Sequence, residues 1–232
     1  MRGGATGVLC APSLSGRYRL YHLVTSSNRF GAHAAVPLTI LESLRHLDAP
    51  IDDGADGYHQ ELAVKRLGMS GTVAAQIERY RRLAGRGGRV ELEEVAALFR
   101  LVGRRTDAGL VFADAGRRVG RRAVRGVRTT AVLLRALPGF ARNGLGFLLA
   151  RRAAGRILDA HLAREGGAPG AVITDPPSAA ATPNGAGCGF YGSALAEILR
   201  SLTDFDGALF HVRCRARGEA VCEWRATAAR AN

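Results

Sequence analysis

Three of the four cysteines lie in the last quarter of this 232-residue chain, at Cys188, Cys214 and Cys222. The second and third stand four residues on either side of Gly218, so a hairpin that turns there puts their thiols opposite each other. Cys188 begins a predicted helix, whose partly positive N-terminus favours a thiolate. Three converging thiolates repel one another unless a cation lies between them, and Zn²⁺ takes sulfur and nitrogen ligands in tetrahedral geometry. His211 is the predicted fourth ligand.

His211 can be the fourth ligand only if its strand is irregular. His211 and Cys214 have opposite parity on a regular strand, so both can face a metal only if a β-bulge lies between them. Glu219 and Glu223 are reserve ligands, and the alternative interpretation is a set of buried apolar cysteines beside an ordinary histidine. A site with four protein ligands would be structural, because it leaves no open position for an activated water.

The elements that would position these residues follow from apolar periodicity and turn residues. Helices are predicted over Val36–Leu47, His59–Arg86 (two helices broken at Gly68), Val90–Val102, Leu110–Val127, Ala141–Leu162 and Gly189–Leu202. Strands are predicted over Ala171–Thr174, Ala208–Ala216 and Ala220–Ala226, the last two forming the hairpin. Because strands and helices are segregated, the predicted fold class is α+β, with a helical N-terminal region before a zinc-stabilised domain of helices packed on a small antiparallel sheet.

Composition shifts divide the chain into three predicted parts. Residues 1–35 are polar and punctuated by Gly and Ser, which indicates a loose arm. Residues 36–88 form a helical region that ends at the glycine-rich linker candidate 85–88, and residues 89–232 form the second domain. The turn at Gly68 and the cap at Ser70 are also features of a helix-turn-helix, whose exposed Thr72, Gln76 and Arg79 would face base edges. Any helical hairpin needs such a turn and cap, so a plain hairpin is favoured.

The net charge is +13, from 33 Lys+Arg against 20 Asp+Glu. Lys65 is the only lysine, and residues 100–156 hold 14 arginines against two aspartates, a net of +12. An arginine bias beside abundant Ala and Gly is typical of a GC-rich genome, so the basic segment is interpreted as a solvated face, with an acidic partner or a membrane surface as the alternative.

Several classes of protein are excluded at this point. The 47% hydrophobic content excludes a disordered chain, and no apolar run approaches the roughly 18 residues of a membrane span. The N-terminus has no continuous apolar stretch of the kind found in a secretory signal peptide, so a cytoplasmic location with reduced thiols is expected.

The segments Gly187–Leu195 and His211–Trp224 together resemble the end of the 4-vinyl reductase domain. This is a small-molecule-binding domain that also occurs in bacterial phenol and hydrocarbon sensors, in a bacteriochlorophyll-biosynthesis protein and, more remotely, in transport-protein-particle subunits. Residues 113–121 are similar to that family's early Gly-x-x-x-Gly helix, and the resemblance covers roughly residues 90–225. It implies a zinc-containing α+β domain with an apolar pocket, in which three cysteines match Cys188, Cys214 and Cys222 and a glutamate commonly stands where this chain has His211.

The resemblance implies a cytoplasmic sensor or carrier that binds an apolar or aromatic small molecule, and relatives often form homodimers. Candidate pocket residues are Phe112, Leu148, Phe190, Leu195 and Trp224, although for each of them a place in the generic core is the favoured interpretation. Two alternatives stay open: a ligand-responsive DNA-binding regulator that uses the Gly68 hairpin, and a tetrapyrrole-pathway vinyl reductase or its accessory protein. Against an enzyme, the sequence has no nicotinamide or flavin loop and no clear acid/base pair.

Overall fold

The computed structural model describes residues 31–49, 70–125, 139–182 and 185–226. These ranges contain helices α1 (Ala35–Asp48), α2 (Gly71–Gly85), α3 (Leu92–Gly103), α4 (Ala108–Arg125), α5 (Gly139–Leu158), α6 (Pro177–Ala181) and α7 (Cys188–Leu202). The strands are β1 (Ala32–His33), β2 (Arg89–Val90), β3 (His161–Glu165), β4 (Ala168–Ile173), β5 (Leu209–Arg213) and β6 (Cys222–Ala226). The α+β prediction is therefore confirmed. No helix in these ranges combines the length and apolarity needed to cross a membrane.

The C-terminal part is a four-stranded antiparallel sheet in the order β3-β4-β6-β5. The predicted hairpin is present as β5 and β6, joined through a short 3₁₀ turn at Arg215–Arg217. Gly218 follows that turn with φ +93°, the left-handed conformation that a tight turn requires. The hairpin therefore reverses at the residue that the sequence indicated.

Helices α4 and α7 pack closely through two glycines of α4. A Cβ atom on Gly116 would lie 2.3 Å from the carbonyl oxygen of Phe190, and one on Gly120 would lie 2.8 Å from that of Ala194. The Gly-x-x-x-Gly spacing puts both positions on one face of the helix, so the two backbones can approach each other. This contact fixes α7, and with it Cys188, against the helical layer.

The N-terminal and C-terminal parts share one core, which differs from the predicted division into an arm and two regions. Residues 31–35 belong to the fold, because β1 pairs with β2 and Ala34 and Ala35 are buried. The predicted linker 85–88 is instead a hydrogen-bonded turn, in which Gly88 donates to Leu83 and accepts from Ala34. Helix α1 packs on α4 in the same core. Residues 1–30 of the predicted arm lie outside the described ranges.

The helix predicted over Ala141–Leu162 ends earlier, at Leu158. Asp159 follows with φ +53°, a conformation that Asp tolerates better than most residues, and the chain then enters β3. The continuing apolar pattern of Ala160 and Leu162 concealed this change from helix to strand. Similarly, the predicted loop at residues 175–177 leads into α6, since proline is accommodated in the first turn of a helix.

Candidate metal centre

The structure brings together the four residues predicted as ligands. Cys188 is the first residue of α7, His211 lies in β5, Cys214 directly follows β5, and Cys222 is the first residue of β6. Their potential ligand atoms all lie within 4.8 Å of one another. The three cysteines are buried and unbridged. This Cys₃His group could hold a metal ion.

The β-bulge on which His211 depended is present. The register of the β5–β6 pair shifts between His211, which opposes Trp224, and Arg213, which opposes Glu223. The shift removes the parity conflict, so His211 and Cys214 both reach the cluster. Of the reserve ligands, Glu223 forms ion pairs with Arg213 and Arg225, and Glu219 is exposed. Neither belongs to the cluster.

The imidazole ring of His211 contacts an aromatic ring and keeps one nitrogen without a hydrogen-bond partner among the described residues. Its ring stacks on Trp224, with centroids 4.7 Å apart and planes 13° apart. Its Nε2 atom is buried and has no hydrogen-bond partner among the described residues. A buried nitrogen without a partner costs roughly 1–3 kcal/mol, and coordination of a metal would satisfy it.

The loop before α7 closes the cluster at Gly185. This residue has φ +74°, and a Cβ atom there would lie 2.6 Å from Sγ of Cys214 and 3.7 Å from Sγ of Cys188. Glycine is therefore required twice, by the backbone conformation and by the lack of space. The backbone of Gly185 lies against the thiols of Cys214 and Cys188, and a side chain at this position would push the thiols apart.

The thiols interact with each other and with nearby donors. Sγ of Cys188 lies 4.0 Å from Sγ of Cys222, and the backbone N–H of Arg215 donates to Sγ of Cys222 at 3.3 Å. The hydrogen bond from Cys188 lowers the pKa of Cys222 to about 4. The same contact, together with burial, raises the pKa of Cys188. A bound cation would displace the protons that remain on the thiols.

The five predicted pocket residues differ in burial, and their role as pocket walls stays a prediction. Phe112, Phe190, Leu195 and Trp224 are all at most 1% exposed and belong to the core, whereas Leu148 is 42% exposed. None of the five lines either of the two described clefts. Apolar character alone does not distinguish a core position from a pocket wall, so the prediction selected residues that pack the interior.

A cleft of about 610 Å³ lies elsewhere, between the start of α1, the end of α5, strands β3 and β4, and the loop before α6. Its apolar walls include Val36, Leu92, Leu158, Ile173, Tyr191 and Val221. Four acidic or basic side chains also line it: Arg151, Asp159, His161 and Asp175. No sequence pattern predicts this cleft, because its walls come from many separate segments. Its one local signal was the pair Arg151 and His161 on either side of a helix-to-strand junction.

The candidate DNA-contacting residues lie on α2. Thr72 and Arg79 are exposed and Gln76 is half-buried. The predicted cap is confirmed, because Ser70 accepts a hydrogen bond from the N–H of Val73. Arg79 forms an ion pair with Glu94. The other half of the predicted hairpin, including Gly68, lies outside the described residues.

Much of the arginine-rich segment is neutralised within the molecule. Arg118 pairs with Asp114 at 2.6 Å, Arg122 with Glu42 at 2.7 Å, and Arg105 with Asp48 at 2.7 Å. The first pair lies within α4, whereas the pairs to Glu42 and Asp48 connect α1 with α4 and with the turn that precedes it. Part of the excess charge therefore contributes to packing between helices.

No known protein family, curated protein or solved structure matches the chain.

Proposed function

We propose that this protein binds a small molecule and is built around a structural zinc ion held by Cys188, His211, Cys214 and Cys222. The observation that carries the zinc site is the convergence of three thiols on the buried, unpartnered Nε2 of His211. Three sulfur ligands and one nitrogen ligand suit Zn²⁺, whereas cations such as Mg²⁺ and Ca²⁺ prefer oxygen. When bound, the ion supplies cross-linking rather than catalysis, because four protein ligands leave no coordination position for a substrate.

The role of the site is to join three pieces of chain. Cys188 anchors the start of α7, His211 and Cys214 anchor the end of β5, and Cys222 anchors the start of β6. Metal bound here stabilises the folded state directly, since the unfolded chain has no preformed site. A reducing compartment would keep the thiols available, which favours the cytoplasm.

The 610 Å³ cleft supports the ligand-binding part of the proposal. Small-molecule sites are typically clefts of roughly 300–1,000 Å³ with apolar walls and a few polar groups. The cleft adjoins the metal centre, because Val221 immediately precedes Cys222 and Ile173 is paired with Cys222 across the sheet. Zinc binding would therefore also fix one wall of the cleft. We assign the chain a sensor or carrier role for a ligand with an apolar or aromatic body.

Membership of the 4-vinyl reductase domain family is part of this proposal. The Cys₃His cluster and the close approach at Gly116 and Gly120 support it, since both fall on the segments that resemble the family. The closed ligand set favours a carrier or sensor over a vinyl reductase. The DNA-binding alternative is less favoured, because Arg79 and several arginines of α4 already have acidic partners.

Native mass spectrometry of the freshly purified full chain tests this proposal. We expect one zinc ion per chain, its loss on treatment with a strong chelator, and a simultaneous loss of thermal stability. The variant Cys10→Ala is the matched control and should keep its zinc. A chain that contains no metal, or one whose melting temperature is unchanged by chelation, would contradict the structural role.

A further inference from the structure

The acidic and basic side chains of the 610 Å³ cleft differ in whether they have ion-pair partners. Asp159 forms an ion pair with Arg89, and Asp175 forms one with Arg215 at 3.3 Å. Both carboxylates that line the cleft therefore have a basic partner within the molecule. The cleft does not present a free negative charge to a ligand.

The two basic groups of the cleft are different. Arg151 makes no ion pair or hydrogen bond with any other described residue, and the same is true of His161. Both side chains line the same cleft, and burial first and the charge of Arg151 second lower the pKa of His161. The guanidinium of Arg151, which has no acidic partner among the described residues, leaves a positive charge in this part of the cleft, and the imidazole of His161 offers an N–H donor beside it.

The rest of the cleft is apolar, with Val36, Leu158, Ile173 and Tyr191 among its walls. A ligand that is apolar throughout would leave the guanidinium and imidazole without hydrogen-bond acceptors. A ligand that is charged throughout would leave the walls unused. The combination matches a molecule with an apolar body and one anionic end.

We infer that the cleft binds an amphipathic monoanion, a compact apolar or aromatic body that carries one carboxylate, with the carboxylate between Arg151 and His161. This inference rests on the proposed ligand-binding function and specifies its ligand class. Arg151 supplies charge-assisted hydrogen bonds, and an N–H of His161 donates to the same carboxylate. The apolar body occupies the space bounded by β4, the start of α1 and Tyr191.

The test uses two probes that share one apolar body, 1-naphthoate and 1-naphthalenemethanol. Isothermal titration calorimetry measures the affinity of the zinc-loaded full chain for each at pH 7. We expect 1-naphthoate to bind at least tenfold more tightly than the alcohol. In Arg151→Gln this preference should fall to within about twofold, because the charge-assisted contact is lost. The alcohol should bind the variant as it binds the natural chain.

Arg152→Gln is the matched control, since Arg152 is also exposed on α5 but does not line the cleft. This control should keep the full preference for 1-naphthoate. His161→Gln should reduce the preference by a smaller factor than Arg151→Gln, because glutamine can still donate a neutral hydrogen bond. Unchanged melting temperatures would show that both α5 variants are folded.

The outcomes separate this inference from the proposed function. Binding of both probes with equal affinity, or an equal loss of preference in Arg151→Gln and Arg152→Gln, would overturn the monoanion assignment and leave a ligand-binding cleft in place. Failure of both probes to bind at millimolar concentration would overturn the assignment and count against the ligand-binding function as well.

Discussion

The metal centre and the cleft adjoin each other where Ile173 of β4 pairs with Cys222 of β6, but they are built in different ways. The four ligands of the metal centre come from one 35-residue stretch, residues 188–222, and their spacing is visible in the sequence. The cleft draws its walls from residues between Gly31 and Val221 in many elements. A site made of rare residue types at short spacing can be read from sequence, whereas one made of common apolar residues emerges only from the packing.

The two regions also differ in how tightly the surrounding chain encloses them. Gly185 covers the cluster so closely that it excludes a side chain, while the cleft is open and keeps Arg151 without an acidic partner. The first arrangement suits an ion that stays bound, and the second suits a ligand that exchanges. Perturbing each region separately tests this distinction.

The largest effect is expected from Cys222→Ala. This change removes a zinc ligand and leaves the other thiols without their cation, so zinc should be lost and the C-terminal sheet should unfold. We expect the free energy of unfolding in guanidinium to fall by several kcal/mol, in line with loss of a structural metal. Binding of 1-naphthoate should also disappear, because Val221 and Ile173 lose their support.

A change in the cleft should leave the metal centre unaffected. Arg151→Gln should keep one zinc per chain and its full stability, because it lies outside the metal centre. Zinc loss in Arg151→Gln, or full zinc retention in Cys222→Ala, would remove the distinction between the two regions.

The next largest effect is a weaker affinity for zinc, and it is expected from His211→Ala. Water can occupy the vacated position, so zinc should bind more weakly than to the natural chain and should not be lost altogether. Competition with a chromogenic chelator measures this change. His46→Ala, which alters an exposed histidine of α1, should have no effect. A loss as complete as that of Cys222→Ala would mean that the site does not tolerate water as a ligand.

A smaller effect on stability, without loss of zinc, is expected from Gly116→Ala. Its new Cβ would lie 2.3 Å from the backbone of α7 and would force the two helices apart. Overpacking of this kind costs about 1–3 kcal/mol. Gly109→Ala is the control on the same helix, where a Cβ meets nothing within 4 Å. It should stabilise the chain by about 0.5–1 kcal/mol. Equal effects of the two changes in chemical denaturation would contradict the close helix contact.

The smallest effect concerns the pH dependence of stability at the other end of the fold. His33 accepts a hydrogen bond at Nδ1 from the N–H of Ala35, and burial first and Arg89 second lower its pKa below 6.5. The folded chain therefore binds fewer protons than the unfolded chain, and stability should fall as the pH drops below about 6.5. Losing the hydrogen bond costs about 1 kcal/mol. His33→Gln should reduce this slope between pH 7 and pH 5, and an unchanged slope would contradict the assignment.

The sequence predicted the parts of the fold that depend on local chemistry. The cap at Ser70, the turn at Gly218 and the apolar face of α4 all followed from residue types and spacing, whereas the bulge near His211 was only a condition that the sequence imposed. Strand β3 was missed because Ala160 and Leu162 continue the helical pattern of α5 past Asp159. The five pocket residues stay a prediction for a related physical reason: Phe190 and Trp224 are apolar whether they line a cavity or fill the core. The pairing of β1 with β2 joins residues far apart in the chain, and no local pattern encodes it.

X-ray absorption at the zinc K-edge, on protein purified without added metal, tests the central claim most directly. The proposed site predicts a first coordination shell of three sulfur atoms at about 2.3 Å and one nitrogen atom at about 2.0–2.1 Å. It also predicts that His211→Ala replaces the nitrogen scattering with oxygen and leaves the three sulfurs. A shell of oxygen and nitrogen alone, or the absence of a zinc edge, would contradict the Cys₃His centre.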